Sequence, residues 1–362
     1  MKLNAFFFGN YMMRNTMKYN FFYLVLLVIT ALWSKPLRAQ DDMLLPDKPG
    51  TFRITKNKLN GQDSDAYGKT FNFTDAEAAA ASENLGSLIG IFRKTPVLSN
   101  IKGFDGVGLL NASSCFVKFG YGIPCEVVFC FQTWKLMDGK EVKFTGEPPY
   151  WQFDVNRFDM FCSHGFNETN YRDTYDATNP GFTPKKMDDA ALALHELFFL
   201  PDIREELSPG IDRYGNTVVI YNPDRPPYWE QVTIREVFGL ILDYWKVMPD
   251  KITSEIMIPV ITKEFDHFSE NEKDGFAYLS DKESITGIGS VKNETPVMRP
   301  NPAYWNKSLP RSAIQIMVLD IPPKDIVKSG MEEELHRQSG YYYVKKLLYQ
   351  LDPNSLLPAI AR

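Results

Sequence analysis

The chain has 362 residues with 45 Asp and Glu against 40 Lys and Arg, and 44% hydrophobic, 23% charged and 14% aromatic content. That is the balance of a folded globular protein rather than a disordered one, and its length suits one large domain or two closely packed ones. An acidic excess without a basic cluster excludes a nucleic-acid partner, because such a surface repels a phosphate backbone.

The N-terminus reads as an export signal. Lys18 supplies positive charge, residues 21–32 (FFYLVLLVITAL) are an apolar run, and Leu37-Arg38-Ala39 places a small residue before Gln40. Spanning a bilayer takes about 20 apolar residues, so this run predicts a signal peptide over 1–39, cleaved after Ala39, with no transmembrane anchor left behind. Met17 makes a more ordinary signal start than Met1. The segment 1–39 carries five basic residues and no acid, which leaves a mature net charge of −10. The expected location is periplasmic or extracellular.

Residues 40–73 read as an N-terminal lead-in, turn-rich around one strand at 51–55. A capping box at Thr74 and Glu77 then starts an alanine-rich helix that runs to about Phe92, before Pro96. Alternating stretches at 106–110, 114–119, 126–134 and 141–144, broken by glycines, predict antiparallel strands. Together they predict a helix-plus-sheet domain over 74–185. The polar stretch 167–186 marks a boundary, and 186–362 reads as a second α+β domain. In it we expect a helix over 188–199, a strand at 216–221, and a helix from Thr233 to about Lys246. That helix carries a capping box (Thr233, Glu236) and a hydrophobic staple (Val232, Val237). Strands are expected at 255–261, 275–279 and 313–319, and helices at 330–338 and 341–351. The fold class is therefore α+β, with antiparallel sheets each packed against one or more amphipathic helices.

One stretch recurs. PPYW stands at 148–151 and 226–229, and PAYW at 302–305, 78 and 76 residues apart, each with an arginine six residues after its tryptophan: Arg157, Arg235 and Arg311. The sequences that follow differ, which argues against duplicated domains. Prolines fix an extended approach and amphipathic rings close a core edge. The alternative is that Tyr150, Trp151, Tyr228, Trp229, Tyr304 and Trp305 offer flat faces to a glycan, with the arginines as polar anchors. Because large aromatics are mostly buried, the sequence favours the architectural reading.

The four cysteines, Cys115, Cys125, Cys130 and Cys162, point to disulfides in an exported chain. A hairpin turn centred on Gly122-Ile123 would set Cys115 opposite Cys130 and leave Cys125 to pair with Cys162. Cys125 and Cys130 do not make a zinc pattern, since residues five apart on a strand face opposite ways. Cys162 with His164 would make a thiol enzyme only if reduced. His195-Glu196 lacks the second histidine of a zincin, with Phe199 in its place, while His267 and His336 have only the acidic neighbours an acidic chain supplies anyway. No nucleophile elbow, Walker loop, dinucleotide fingerprint or EF-hand loop is present. No cofactor or metal is implied. The reading that remains is an exported binding or structural component with a protein or glycan ligand. A glycan hydrolase using paired Asp and Glu is the first alternative, and a thiol-dependent enzyme the second.

Overall fold

A computed structural model of the protein describes residues 43–56, 73–112, 121–144, 146–157, 190, 193–194, 197–199, 204–248, 250–280, 284–292 and 295–361. In chain order its strands are β1 (Met43–Leu44), β2 (Phe52–Lys56), β3 (Phe104–Ala112), β4 (Cys125–Met137), β5 (Lys140–Lys143), β6 (Tyr150–Val155), β7 (Phe198–Phe199) and β8 (Glu205–Ser208). These are followed by β9 (Ile211–Tyr214), β10 (Thr217–Tyr221), β11 (Trp229–Gln231), β12 (Tyr278–Leu279), β13 (Ile288–Gly289), β14 (Thr295–Pro300) and β15 (Ile316–Asp320). The helices are α1 (Asp75–Phe92), α2 (Pro96–Ser99), α3 (Ile234–Val247), α4 (Lys251–Asp266), α5 (Glu270–Lys273), α6 (Lys324–His336) and α7 (Tyr341–Gln350).

Period-2 patterning builds the central strand. In β4 the odd residues Cys125, Val127, Phe129 and Phe131 enter the main core, so the even residues face the other way. The main sheet runs β2-β3-β4-β6-β15-β10-β9-β8, with β1 and β5 also joined to β4. Its pairings are antiparallel except β2 with β3. An α+β fold results, as the alternation and the capped helices imply.

On one face of this sheet, α1 lays down Leu85, Leu88, Ile89 and Phe92, and α7 lays down Tyr343, Val344, Leu347 and Leu348. Phe92 sits among rings, with centroids 5.1 Å from Phe129, 5.2 Å from Phe153 and 5.8 Å from Trp151. Each such buried ring stabilises the fold by about 1.5–3 kcal/mol of removed apolar surface.

A second sheet runs β11-β14-β12-β13, with β7 also paired to β14. It packs with α3 and α4 around Val232, Val237, Phe238, Ile241, Ile261 and Val297. Val232 and Val237 flank the Thr233 cap and are both fully buried, so the hydrophobic staple forms as expected. A third cluster joins the two sheets: Tyr214, Val219, Ile316 and Val318 from the outer face of the main sheet meet Tyr228, Trp229, Tyr304 and Trp305. The main sheet takes strands from both sides of the boundary placed between residues 185 and 186, because β15 pairs with β6.

Three local expectations are corrected. The strand expected at 255–261 is part of helix α4. Asp250 caps it by accepting from the Thr253 amide at 3.1 Å, and Ser254 and Ile261, seven residues apart, share its buried side. The hairpin turn at Gly122-Ile123 does not form either. Ile123 is buried and its amide donates to the Arg311 carbonyl, since an apolar isoleucine gains more in the core than at a turn tip. Within the helix expected over 188–199, Phe198 and Phe199 are extended and pair with β14. The strand expected at 114–119 lies outside the described residues. Among the described residues no helix is long and apolar enough to cross a membrane.

Candidate functional site

The three Tyr-Trp motifs are built into the fold in different ways. Tyr150 and Trp151 open β6, so alternation turns one ring out and the other in. Tyr150 is 44% exposed, whereas Trp151 is buried and its indole N–H donates to the Asp320 carbonyl at 2.9 Å. The second and third motifs come together. Trp229 in β11 stands opposite Pro300 of β14, and Tyr228 and Tyr304 pack edge to face with centroids 6.3 Å apart. The Tyr304 hydroxyl donates to the Gln315 carbonyl at 2.6 Å, and Asn301 bridges the motifs by donating to the Pro227 carbonyl at 2.7 Å. Five of the six rings are thus buried and face other protein groups.

The three arginines all meet carboxylates. Arg157 Nε lies 3.2 Å from Asp154, Arg235 binds Asp274 at 2.7 Å and Glu270 at 2.8 Å, and Arg311 reaches Glu77 at 3.4 Å. They do not converge on one surface with the rings. Arg235 and Arg311 instead tie helix starts to neighbouring segments.

The densest polar constellation is one that no sequence motif marks. Asp212 in β9 is fully buried on the face that meets the second sheet. Its Oδ2 accepts from the Tyr228 hydroxyl at 2.6 Å and from Arg204 Nε at 2.8 Å, and its Oδ1 accepts from the Tyr221 hydroxyl at 3.3 Å. Arg204 also donates to Tyr221 at 3.2 Å, and the Tyr214 and Tyr228 hydroxyls are 2.9 Å apart. Because Tyr228 gives its proton to Asp212, Tyr214 must donate to Tyr228. The result is a one-way chain of donors ending on a carboxylate.

Electrostatics keep that chain protonated. Burial, then the neighbouring Tyr214 and Asp212, push Tyr228 well above the ordinary phenol range, and burial pushes Tyr214 up to about 12. The bond to Asp212 raises Arg204 above its usual value. The three phenols of Tyr214, Tyr221 and Tyr228 and the Arg204 guanidinium are all engaged around the Asp212 side chain. Such an arrangement locks β9 and β10 to the Tyr228 segment, with Arg204 at its half-exposed edge.

The cysteine pairings are revised by the register. Cys130 stands opposite Val107 of β3 and Tyr150 of β6, not opposite Cys115, and Cys125 stands opposite Ala112 and Val155. Cys125 and Cys130 are free thiols on opposite faces of β4. Burial raises both, Cys125 to about 12, so neither is a ready thiolate. Cys115 and Cys162 lie outside the described residues, as do His164 and His195.

Two surface features remain. A cleft of about 590 Å³ lies between residues 43–49 and the end of α6, lined mostly by apolar groups such as Leu45, Pro46 and Leu335, with the Lys48–Glu141 ion pair at its side. The other feature is α4. It buries Ser254 and Ile261 on its inner side, yet Ile252 is 75%, Ile256 61% and Val260 41% exposed on its outer side. The sequence held a signal for this face: an apolar run with no single period, which reads as a strand when it is a helix apolar on two sides. Among the described residues no group of His, Cys, Asp and Glu is arranged to hold a metal. No family model matches the chain, and comparison with curated proteins and with solved structures finds no match either.

Proposed function

We propose that this is an exported binding component of the periplasm or extracellular space, which works by docking a protein through the outer face of α4. The observation that carries this reading is the exposure of Ile252, Ile256 and Val260 on a helix whose opposite side is already in the core. A helix with one apolar side in the core leaves a second apolar side uncovered, and a contiguous exposed apolar patch marks a surface for interaction. The polar constellations support the same reading, because five of the six motif rings are buried and the three arginines and the Asp212 cluster are engaged within the chain. Export rests on residues 18–39, with their charge, short apolar run and small residue before the expected cut.

A photoreactive benzoylphenylalanine at position 256, in the full chain expressed in its own cell, tests this. The expected result is a protein adduct after irradiation that is absent with the same group at Lys140, an exposed site on β5 of the main sheet, whereas α4 packs with the second. Absence of any adduct at 256 overturns the proposal.

A further inference from the structure

We infer that β2 docks an extended, acidic segment of another protein, which adds to the main sheet as one more strand. This surface is separate from α4, which packs with the second sheet. The path of the main sheet ends at β2 on one side and at β8 on the other. A sheet edge exposes unpaired amides and carbonyls, and edges that must not pair are kept short, charged or bulged. β8 fits that description: it has four residues, carries exposed Glu205 and Glu206, and its register breaks between Glu206 and Ser208.

β2 differs. It runs five residues in unbroken parallel register with β3, and the Gly106 amide donates to the Thr51 carbonyl at 2.8 Å. By alternation Thr51, Arg53 and Thr55 turn their backbone groups toward β3, while Phe52 and Ile54 turn theirs outward. Among the described residues no group pairs with the outward amides and carbonyls of Phe52 and Ile54. Phe52 anchors the strand: its ring lies so close over β3 that a Cβ at Gly106 would meet it at 2.5 Å and one at Gly108 at 3.2 Å. Ile54 continues the same face and is 39% exposed, so an apolar seat lies beside the free backbone.

The charges beside this edge indicate what it accepts. Arg93, at the end of α1, lies 5.7 Å from the centroid of the Phe52 ring on the helix side, and exposed Arg53 projects from the other face. Just before β2, Pro49 bridges to Lys102, which with Lys346 lines a cleft of about 310 Å³ that holds a single acid, Asp47. Among the described residues none of these four cations has a carboxylate at ion-pair distance. Asp105, on the face of β3 that Arg53 shares, is taken by Thr51 and Lys143. Unpaired cations on both faces of one edge work against a like strand, a second copy of β2 included, and favour an acidic one. Backbone pairing then supplies affinity, while Phe52, Ile54 and the cations select alternate side chains of the added strand.

Two short fluorescein-labelled peptides test this, one alternating valine with glutamate and one alternating valine with lysine, each titrated with the mature chain by fluorescence anisotropy. The glutamate peptide is expected to bind saturably and the lysine peptide about tenfold or more weakly. Ile54→Pro removes an outward amide and leaves the bonds of Arg53 and Thr55 to β3, so it is expected to remove binding while the melting temperature is kept. Arg53→Glu with Arg93→Glu is expected to reverse the preference between the peptides, a result that an unfolded chain cannot give. Equal binding of the two peptides overturns the proposal, as does no binding of either. So does binding of the glutamate peptide that survives Ile54→Pro in a chain melting as wild type. The photoadduct at position 256 reports on α4 alone, so failure at either surface is told apart from failure at the other.

Discussion

Tyr228 donates to a carboxylate that has no contact with water, so its hydroxyl is held by a group that cannot find a substitute partner. Tyr228→Phe removes that donor and also the acceptor of Tyr214, while the ring stays packed against Trp229 at 5.4 Å. Stranding a buried donor and weakening a buried acceptor costs about 1–3 kcal/mol. The expected result is a lower urea midpoint with an unchanged slope, and a loss below about 0.5 kcal/mol would show that the cluster contributes no net stability. Arg204→Gln is expected to cost less, because the Arg204 side chain is half exposed and water screens its charge. The burial of Trp151, Trp229, Tyr228, Tyr304 and Trp305 was legible in the sequence, since rings of that size bury where a chain folds at all. Asp212 was not. Its partners come from residues 204, 221 and 228, on segments that meet only after β9, β10 and the loop before β11 have assembled, and no spacing announces that.

At the scale of elements, three helices begin with the same device. Thr74 with Glu77, Thr233 with Glu236 and Ser269 with Glu272 each form a capping box, in which the hydroxyl takes one amide and the carboxylate another. Hydrogen bonds from the capping residues hold all three glutamates below their ordinary value of 4.5, with Arg311 adding to Glu77 and Arg299 to Glu236. A carboxylate lowered in the folded state contributes stability that is present above 4.5 and lost as the pH falls through the folded value. Asp320, raised by burial, pulls the other way. The melting temperature is therefore expected to fall as the pH drops below 4.5, and Glu77→Gln with Glu236→Gln to flatten that fall, since glutamine keeps the cap without titrating. An unchanged pH slope in the double variant would mean that other groups set the acid limit. The boxes at Thr74 and Thr233 were legible because they are local, four residues long and chemically specific, and the same pattern at Ser269, equally local, passed unread. The helix α4 was misread for the reverse reason: its identity depends on which of its apolar residues find the core, and Ile252, Ile256 and Val260 do not.

At the scale of the whole molecule, the aromatic seam decides whether the two sheets behave as one cooperative unit. Four residues of the main sheet, Tyr214, Val219, Ile316 and Val318, share that seam with Tyr228, Trp229, Tyr304 and Trp305, while the cores on either side are separate. The intact chain is expected to unfold in one step, with far-ultraviolet circular dichroism and tryptophan fluorescence reporting the same transition. Two truncations of equal chemistry separate the seam from ordinary core packing. Trp151 and Trp229 are buried to a similar degree, at 5% and 6% exposure, so either change to alanine costs about 3–5 kcal/mol. Trp151→Ala weakens the main core alone and should move a single transition to lower temperature. Trp229→Ala empties the joint, so the second sheet with α3 and α4 should melt first and the two probes should part. If both variants keep coincident probes, coupling resides elsewhere than in the seam, and the recurrence of Pro-x-Tyr-Trp in 226–229 and 302–305 would need another explanation than joining the sheets. If only Trp229→Ala splits the transition, then two of the three motifs are what makes two sheets one molecule, and the outward face of α4 is presented by a rigid body rather than by a loosely attached lobe.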